Sequence, residues 1–173
     1  VSFSPPTGRI KAEIARREAL QAVERMEAVL ECPYRSSRQR LEEVVFADMR
    51  HTFHLLENEP RVLELAQVVV QERPQFQIES LRRERRIFQR ILRDGAQTGE
   101  FVLDNITHAT IAVHSATLKY RYTQLFTNQT LEELERELCF VLTLLARVLT
   151  NPASQGALPP TEVPPEAELE QAV

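Results

Sequence analysis

Apolar positions recur at spacings of three and four along most of the chain, the period of a helix with a buried face. Ile10, Ile14, Leu20, Val23, Met26 and Leu30 mark a first helix over about 9–31, which Pro33 stops. Ser36 or Ser37 can cap a second helix that runs to about Leu56, with Leu41, Val44, Val45, Phe53 and Leu55 on a wide apolar face. Pro60 suits the first turn of a third helix, short and apolar on most sides, that carries Val62, Leu63, Leu65, Val68, Val69 and Val70. Pro74 ends it and opens a fourth over about 74–97, with Leu81, Phe88, Ile91, Leu92 and Gly95 on or near one face. Asp104 is the expected cap of a fifth helix over about 104–122. Thr130 with Glu133 forms a capping box that starts a sixth, ending at Asn151-Pro152. No segment alternates as a strand does. The pattern predicts an all-α fold of six helices.

Two of these helices carry more apolar surface than a single core needs. In the fifth, Ile106, Ala109, Val113, Ala116 and Tyr120 make one stripe, and Ile111, Leu118 and Tyr122 another nearly opposite. In the sixth, Leu131, Leu134, Leu138, Leu142, Leu145 and Leu149 stand in register while Phe140 and Leu144 lie well away. A helix with two apolar faces serves two partners, and the simplest second partner is another copy of the chain. The expected interface of this homodimer is Ala109, Val113, Ala116, Tyr120, Leu138, Leu142 and Leu145, with the pattern leaving open which of the two stripes faces the partner. The two Ala allow close helix approach.

Composition narrows the rest. The chain has 173 residues, no Trp, four Gly and ten Pro. Five of the Pro lie within 151–173, together with four Glu and no basic residue, so this segment is expected to form a disordered tail. Taking those four from the 25 acidic residues leaves 21, equal to the 21 Lys and Arg. A neutral body argues against nucleic-acid binding by this part of the molecule. Residues 1–8, with Pro5, Pro6 and Gly8, read as a flexible lead-in to a helical domain over 9–150. Cys32 and Cys139 have no paired spacing and read as reduced thiols, which fits the cytoplasm. No apolar run approaches a membrane span. The first residue is Val, so the chain is expected to begin inside a longer protein.

Few residues suggest chemistry. Asp48 and His51 fall on the helical row 41, 44, 48, 51 and 55, where polar groups need partners. Either they satisfy each other, or they face a cavity and orient a ligand. A sharper version adds His108 or His114 to Asp48 and His51 as ligands of a divalent transition metal. The arginines at 82, 83, 85, 86 and 93, interleaved with Glu79 and Glu84, read as a solvated face. Tyr120, Tyr122, Phe126 and Phe140 read as core or interface. Ser115 lies two helical turns from His108, too little for a catalytic constellation. No phosphate-binding glycine loop or paired carboxylates are present, so the chain reads as a non-enzyme that requires no cofactor.

The run Ile91-Leu92-Arg93-Asp94-Gly95, then Gly99-Glu100-Phe101, Asp104 and a final Leu-rich helix resembles the C-terminal half of a tetracycline-repressor-type (TetR/AcrR) transcriptional regulator. The order and length of the earlier helices extend the resemblance over about 9–150. It implies a regulatory domain that binds a small molecule and dimerises, the last two helices of each subunit forming a four-helix bundle. It also implies a helix-turn-helix module ahead of this domain, absent from the chain. DNA would be bound only through that module and released when the effector binds. The implied effector is hydrophobic or amphipathic, lined by Val44, Asp48, His51, Leu55, Phe88, Ile111 and His114. The competing readings are a helical scaffold with a filled core and a metal-binding helical bundle.

Overall fold

The computed structural model describes residues 20–32, 34–59, 74–121 and 129–151, together with Arg17. Five helices lie among them: α1 over 20–30, α2 Ser37–Asn58, α3 Pro74–Gln97, α4 Ile106–Arg121 and α5 Leu131–Thr150. No strand occurs among the described residues. The helix expected over 60–73, the start of the first helix and the tail from Pro152 onward lie outside them.

Local chemistry explains each boundary. Of the two candidate serines, Ser36 caps α2: its hydroxyl accepts from Gln39 N at 3.2 Å, and Gln39 Oε1 accepts from Ser36 N at 3.0 Å. Ser37 is the buried first residue of the helix. Thr130 and Glu133 form the same reciprocal box at the start of α5, with Thr130 N donating to Glu133 Oε2 at 2.8 Å. At α4 a second side chain beside the expected cap Asp104 covers a free amide. Asn105 offers its side-chain oxygen to His108 N at 3.0 Å, and the helix begins at Ile106.

The end of α3 depends on two glycines. Gly99 has φ +75°, the left-handed conformation that releases a chain from a helix. Gly95 lies under the Phe101 ring, which folds back to bury itself. Phe101 N donates to Gly95 O at 3.0 Å. The next contacts join this turn to both ends of the domain. Glu100 accepts from Ser37 N at 2.7 Å and Arg38 N at 3.0 Å, covering the exposed amides at the start of α2. Val102 N donates to Leu149 O at 2.8 Å in the last turn of α5.

Among the described elements, α2 contacts α3, α4 and α5, while α4 lies between α3 and α5. Their shared core holds Val44, Val45 and Met49 of α2, Phe88, Ile91 and Leu92 of α3, Val113 of α4, and Leu134 and Leu138 of α5. Met26 joins it from α1. Ion pairs at the rim link α2 to α5 (Arg50–Glu135, 2.5 Å) and α4 to α5 (Lys119–Glu137, 2.6 Å). Such partly exposed pairs contribute little to stability.

The core takes up part of the expected dimer face. Val113, Tyr120, Leu138 and Leu142 are buried inside the subunit, because α2 packs on both α4 and α5 and α3 packs on α4. Ala109 and Leu145 are half-buried against the same core, and Ala116 is exposed. What α5 leaves uncovered is a different row: Phe140 is 70% exposed, Leu144 63% and Val148 38%, at spacings of four.

Candidate functional site

A row of polar side chains runs along the buried face of α4, beside Val113 and Tyr120. Thr110, His114, Thr117 and Arg121 follow at spacings of four and three, and all are nearly inaccessible. The two threonines are satisfied within their own helix. Thr110 Oγ1 donates to Ile106 O at 2.7 Å and Thr117 Oγ1 to Val113 O at 2.9 Å. His114 and Arg121 look outward from α4 toward Glu84, one turn before Phe88 on α3.

These groups form a compact cluster. Arg121 Nη2 donates to Glu84 Oε2 at 2.5 Å, with the Arg121 side chain fully buried. His114 Nε2 lies 3.3 Å from Arg121 Nη2 and 3.6 Å from Glu84 Oε2, the latter an ion-pair distance beyond hydrogen-bond reach. The Arg121 guanidinium sits over the Phe88 ring, 5.3 Å from its centroid, and His114 meets the same ring edge-on at 5.9 Å. Burial pushes the Glu84 carboxyl up, but His114 and the Arg121 charge together outweigh it and hold the group below its ordinary value.

Asp48 approaches this cluster from α2 and behaves in the opposite way. It is 8% exposed, between core residues Val45 and Met49. Among the described residues no hydrogen bond reaches its carboxyl, and none joins it to His51. Burial pushes Asp48 up to about 6; Arg121 and Arg25 oppose the rise through their charge, and Glu84 adds to it. Arg25 comes from α1 and forms no ion pair with Asp48. The site thus holds two acids: Glu84, held by an arginine, and Asp48, held by no hydrogen bond.

The structure sorts the expected ligand residues. Val44, Asp48, Phe88 and His114 are buried, and Phe88 and His114 are in contact. His51, Leu55 and Ile111 are half-buried, since the row on α2 turns out of the core after Asp48. The metal set is not assembled: His108 is exposed while His114 is buried, and among the described residues no three His, Cys, Asp or Glu side chains are grouped to hold an ion. Ser115 and His108 are both exposed, and no hydrogen bond joins them. Most of the arginine-rich face of α3 is solvated, as expected, but Glu84 is not part of it. Glu84 and Arg121 were missed by sequence reasoning. Helical spacing carries a signal for both: Glu84 shares the row of Leu81, Phe88 and Ile91, and Arg121 lies two turns after His114.

The family model described as tetracyclin repressor-like, C-terminal domain, matches residues 37–142. The chain belongs to this family. No curated protein and no solved structure matches it. The TetR-like match opens at the first residue of α2 and takes in Asp48, Glu84, His114 and Arg121. It leaves out α1, and with it Arg25. The family's C-terminal domains are regulatory. No helix among the described residues is long and apolar enough to cross a membrane.

Proposed function

We propose that this chain senses a small effector and dimerises within a TetR-like transcriptional regulator, and that effector binding releases the regulator from its operator. The observation that supports this reading most directly is the polar cluster of Asp48, Glu84, His114 and Arg121 inside an apolar core of the matching domain. Burying ionisable groups is costly, and a core that served only to fold would be as stable with apolar residues there. A few placed polar groups among apolar walls are what an effector pocket needs for orientation.

Dimerisation is proposed through α5. Its uncovered row, Phe140, Leu144 and Val148, is an apolar face along a helix that the family's dimers use, with the exposed Ala116 of α4 as a second element. Operator contacts would fall to a helix-turn-helix module outside residues 37–142. Binding in the core would reset the spacing of two such modules across the dimer. The regulator would act in the cytoplasm.

A native mass spectrum of the purified chain, beside a denatured one, tests both halves. The expected result is a dimer, with additional mass that denaturation removes. A monomer at micromolar concentration refutes the dimer. A dimer that neither retains nor takes up a small molecule favours the scaffold reading.

A further inference from the structure

The two acids of the core cluster are treated unequally, and the inequality says what kind of molecule is missing. Glu84 has a guanidinium donating to it at 2.5 Å. Asp48, on the facing helix, is more than nine-tenths buried and accepts no hydrogen bond among the described residues. An ionised carboxylate can only accept, and it has about four lone-pair sites to fill. Two arginines lie within electrostatic reach, and neither donates to it: Arg121 is engaged with Glu84, and Arg25 forms no ion pair among the described residues.

We propose that the effector is an apolar, aryl-bearing molecule ending in a protonated amine, and that Asp48 receives that end. This rests on the sensing role proposed above and narrows it to a chemical class. The argument is one of complementarity. A carboxylate-bearing effector would meet Asp48 as a like charge, while Glu84 is already paired with Arg121. An alcohol would give Asp48 a hydrogen bond and no countercharge. An ammonium group gives both, in the short charge-assisted geometry that is about twice as strong as a neutral bond. The apolar remainder has its surroundings in Val44, Val45, Met49 and Phe88, all fully buried. The edge-on pair of Phe88 and His114 shows that aromatic rings are accommodated there. Arg121 already models the interaction, as a cation over the Phe88 ring held by an acid.

The test uses three molecules with one skeleton: 4-phenylbutylamine, 4-phenylbutanol and 4-phenylbutyrate. Binding to the full chain is measured by titration calorimetry at pH 7.5, with wild type beside Asp48→Asn. The amine is expected to bind wild type at least tenfold more tightly than the alcohol, and the butyrate more weakly still. In Asp48→Asn the amine should lose that advantage while the alcohol binds as before. Wild type alone supplies a second measurement: its affinity for the amine should fall as pH drops below about 6, where Asp48 takes up a proton.

A preference for the butyrate, or an amine preference that survives in Asp48→Asn, overturns the proposal. So does equal binding of amine and alcohol, which leaves the sensing role intact and removes only the chemical class. If none of the three binds, the class is likewise refuted, and the sensing role is decided separately by the retained mass in the native spectrum.

Discussion

Arg121 and Glu84 form a buried ion pair between the last turn of α4 and the middle of α3, 2.5 Å apart and shielded by the Phe88 ring. Removing one partner strands the other charge away from water. Glu84→Leu or Arg121→Met alone should therefore cost about 3–5 kcal/mol of stability, while the double substitution should recover most of it. Urea denaturation of the four proteins of this cycle measures both the single losses and the recovery. Additive losses in the double variant would show that the pair is not a unit.

Asp48 makes the stability depend on pH with a sign opposite to that of an ordinary salt-bridged acid. Its carboxyl is raised to about 6, so the folded protein holds that proton more tightly than the unfolded chain does. The resulting stability is fully present below about pH 4 and is lost as pH rises through about 6. Glu84 acts the other way: it is lowered, so its contribution is present above its ordinary value and lost on acidification. Comparing Asp48→Asn with wild type isolates the first effect. The difference between their unfolding free energies should grow in favour of the variant from pH 4 to 7, by about 3 kcal/mol at most. Parallel curves would mean that Asp48 is solvated.

Gly95 is fixed by the ring above it. A Cβ at position 95 would lie 2.2 Å from Phe101 Cδ2, and the buried ring has little room to withdraw. Gly95→Ala should cost about 1–3 kcal/mol, the usual range for overpacking, with partial recovery when Phe101→Leu is added. Gly99→Ala should cost less, about 1 kcal/mol, because its surroundings are open and only the left-handed backbone is strained. Thermal melts of the three variants give the order.

The burial pattern separates charges that break an interface from charges that break the fold. Phe140→Glu and Leu144→Glu lie on the uncovered row of α5. Each should yield a folded monomer by sedimentation and circular dichroism. Val113→Glu and Leu138→Glu place a charge at positions 1% and 0% exposed and should unfold the domain instead. An intact dimer in both exposed-row variants would move the interface elsewhere.

Helix positions were legible because caps and apolar periods agree over most of the chain. Thr130 with Glu133, Pro74 and the Gly99-Glu100-Phe101 stop all act as their residue types suggest. Asp48 was also legible, since it interrupts the row of Leu41 and Val44. The buried face of α4 was not. Thr110, His114, Thr117 and Arg121 are polar, so a search for apolar stripes passes over them and selects Ala109 and Ala116. Alanine suits either side of a helix and marks neither. Glu84 was hidden by five nearby arginines, which make its surroundings look uniformly solvated. Both errors arise because burial of a charge depends on its partner from another helix, and one-dimensional spacing does not contain that partner.

The short segment after α3 is joined to three helices within three residues: Glu100 to the start of α2, Phe101 to Gly95 of α3, and Val102 to the last turn of α5. Such a joint works like a mortised corner in a timber frame. Sliding α5 along α2 would have to break the two hydrogen bonds that the Glu100 carboxylate accepts from Ser37 N and Arg38 N together with the one that Val102 N donates. Movement at this end of the domain is therefore restricted to turning as a block.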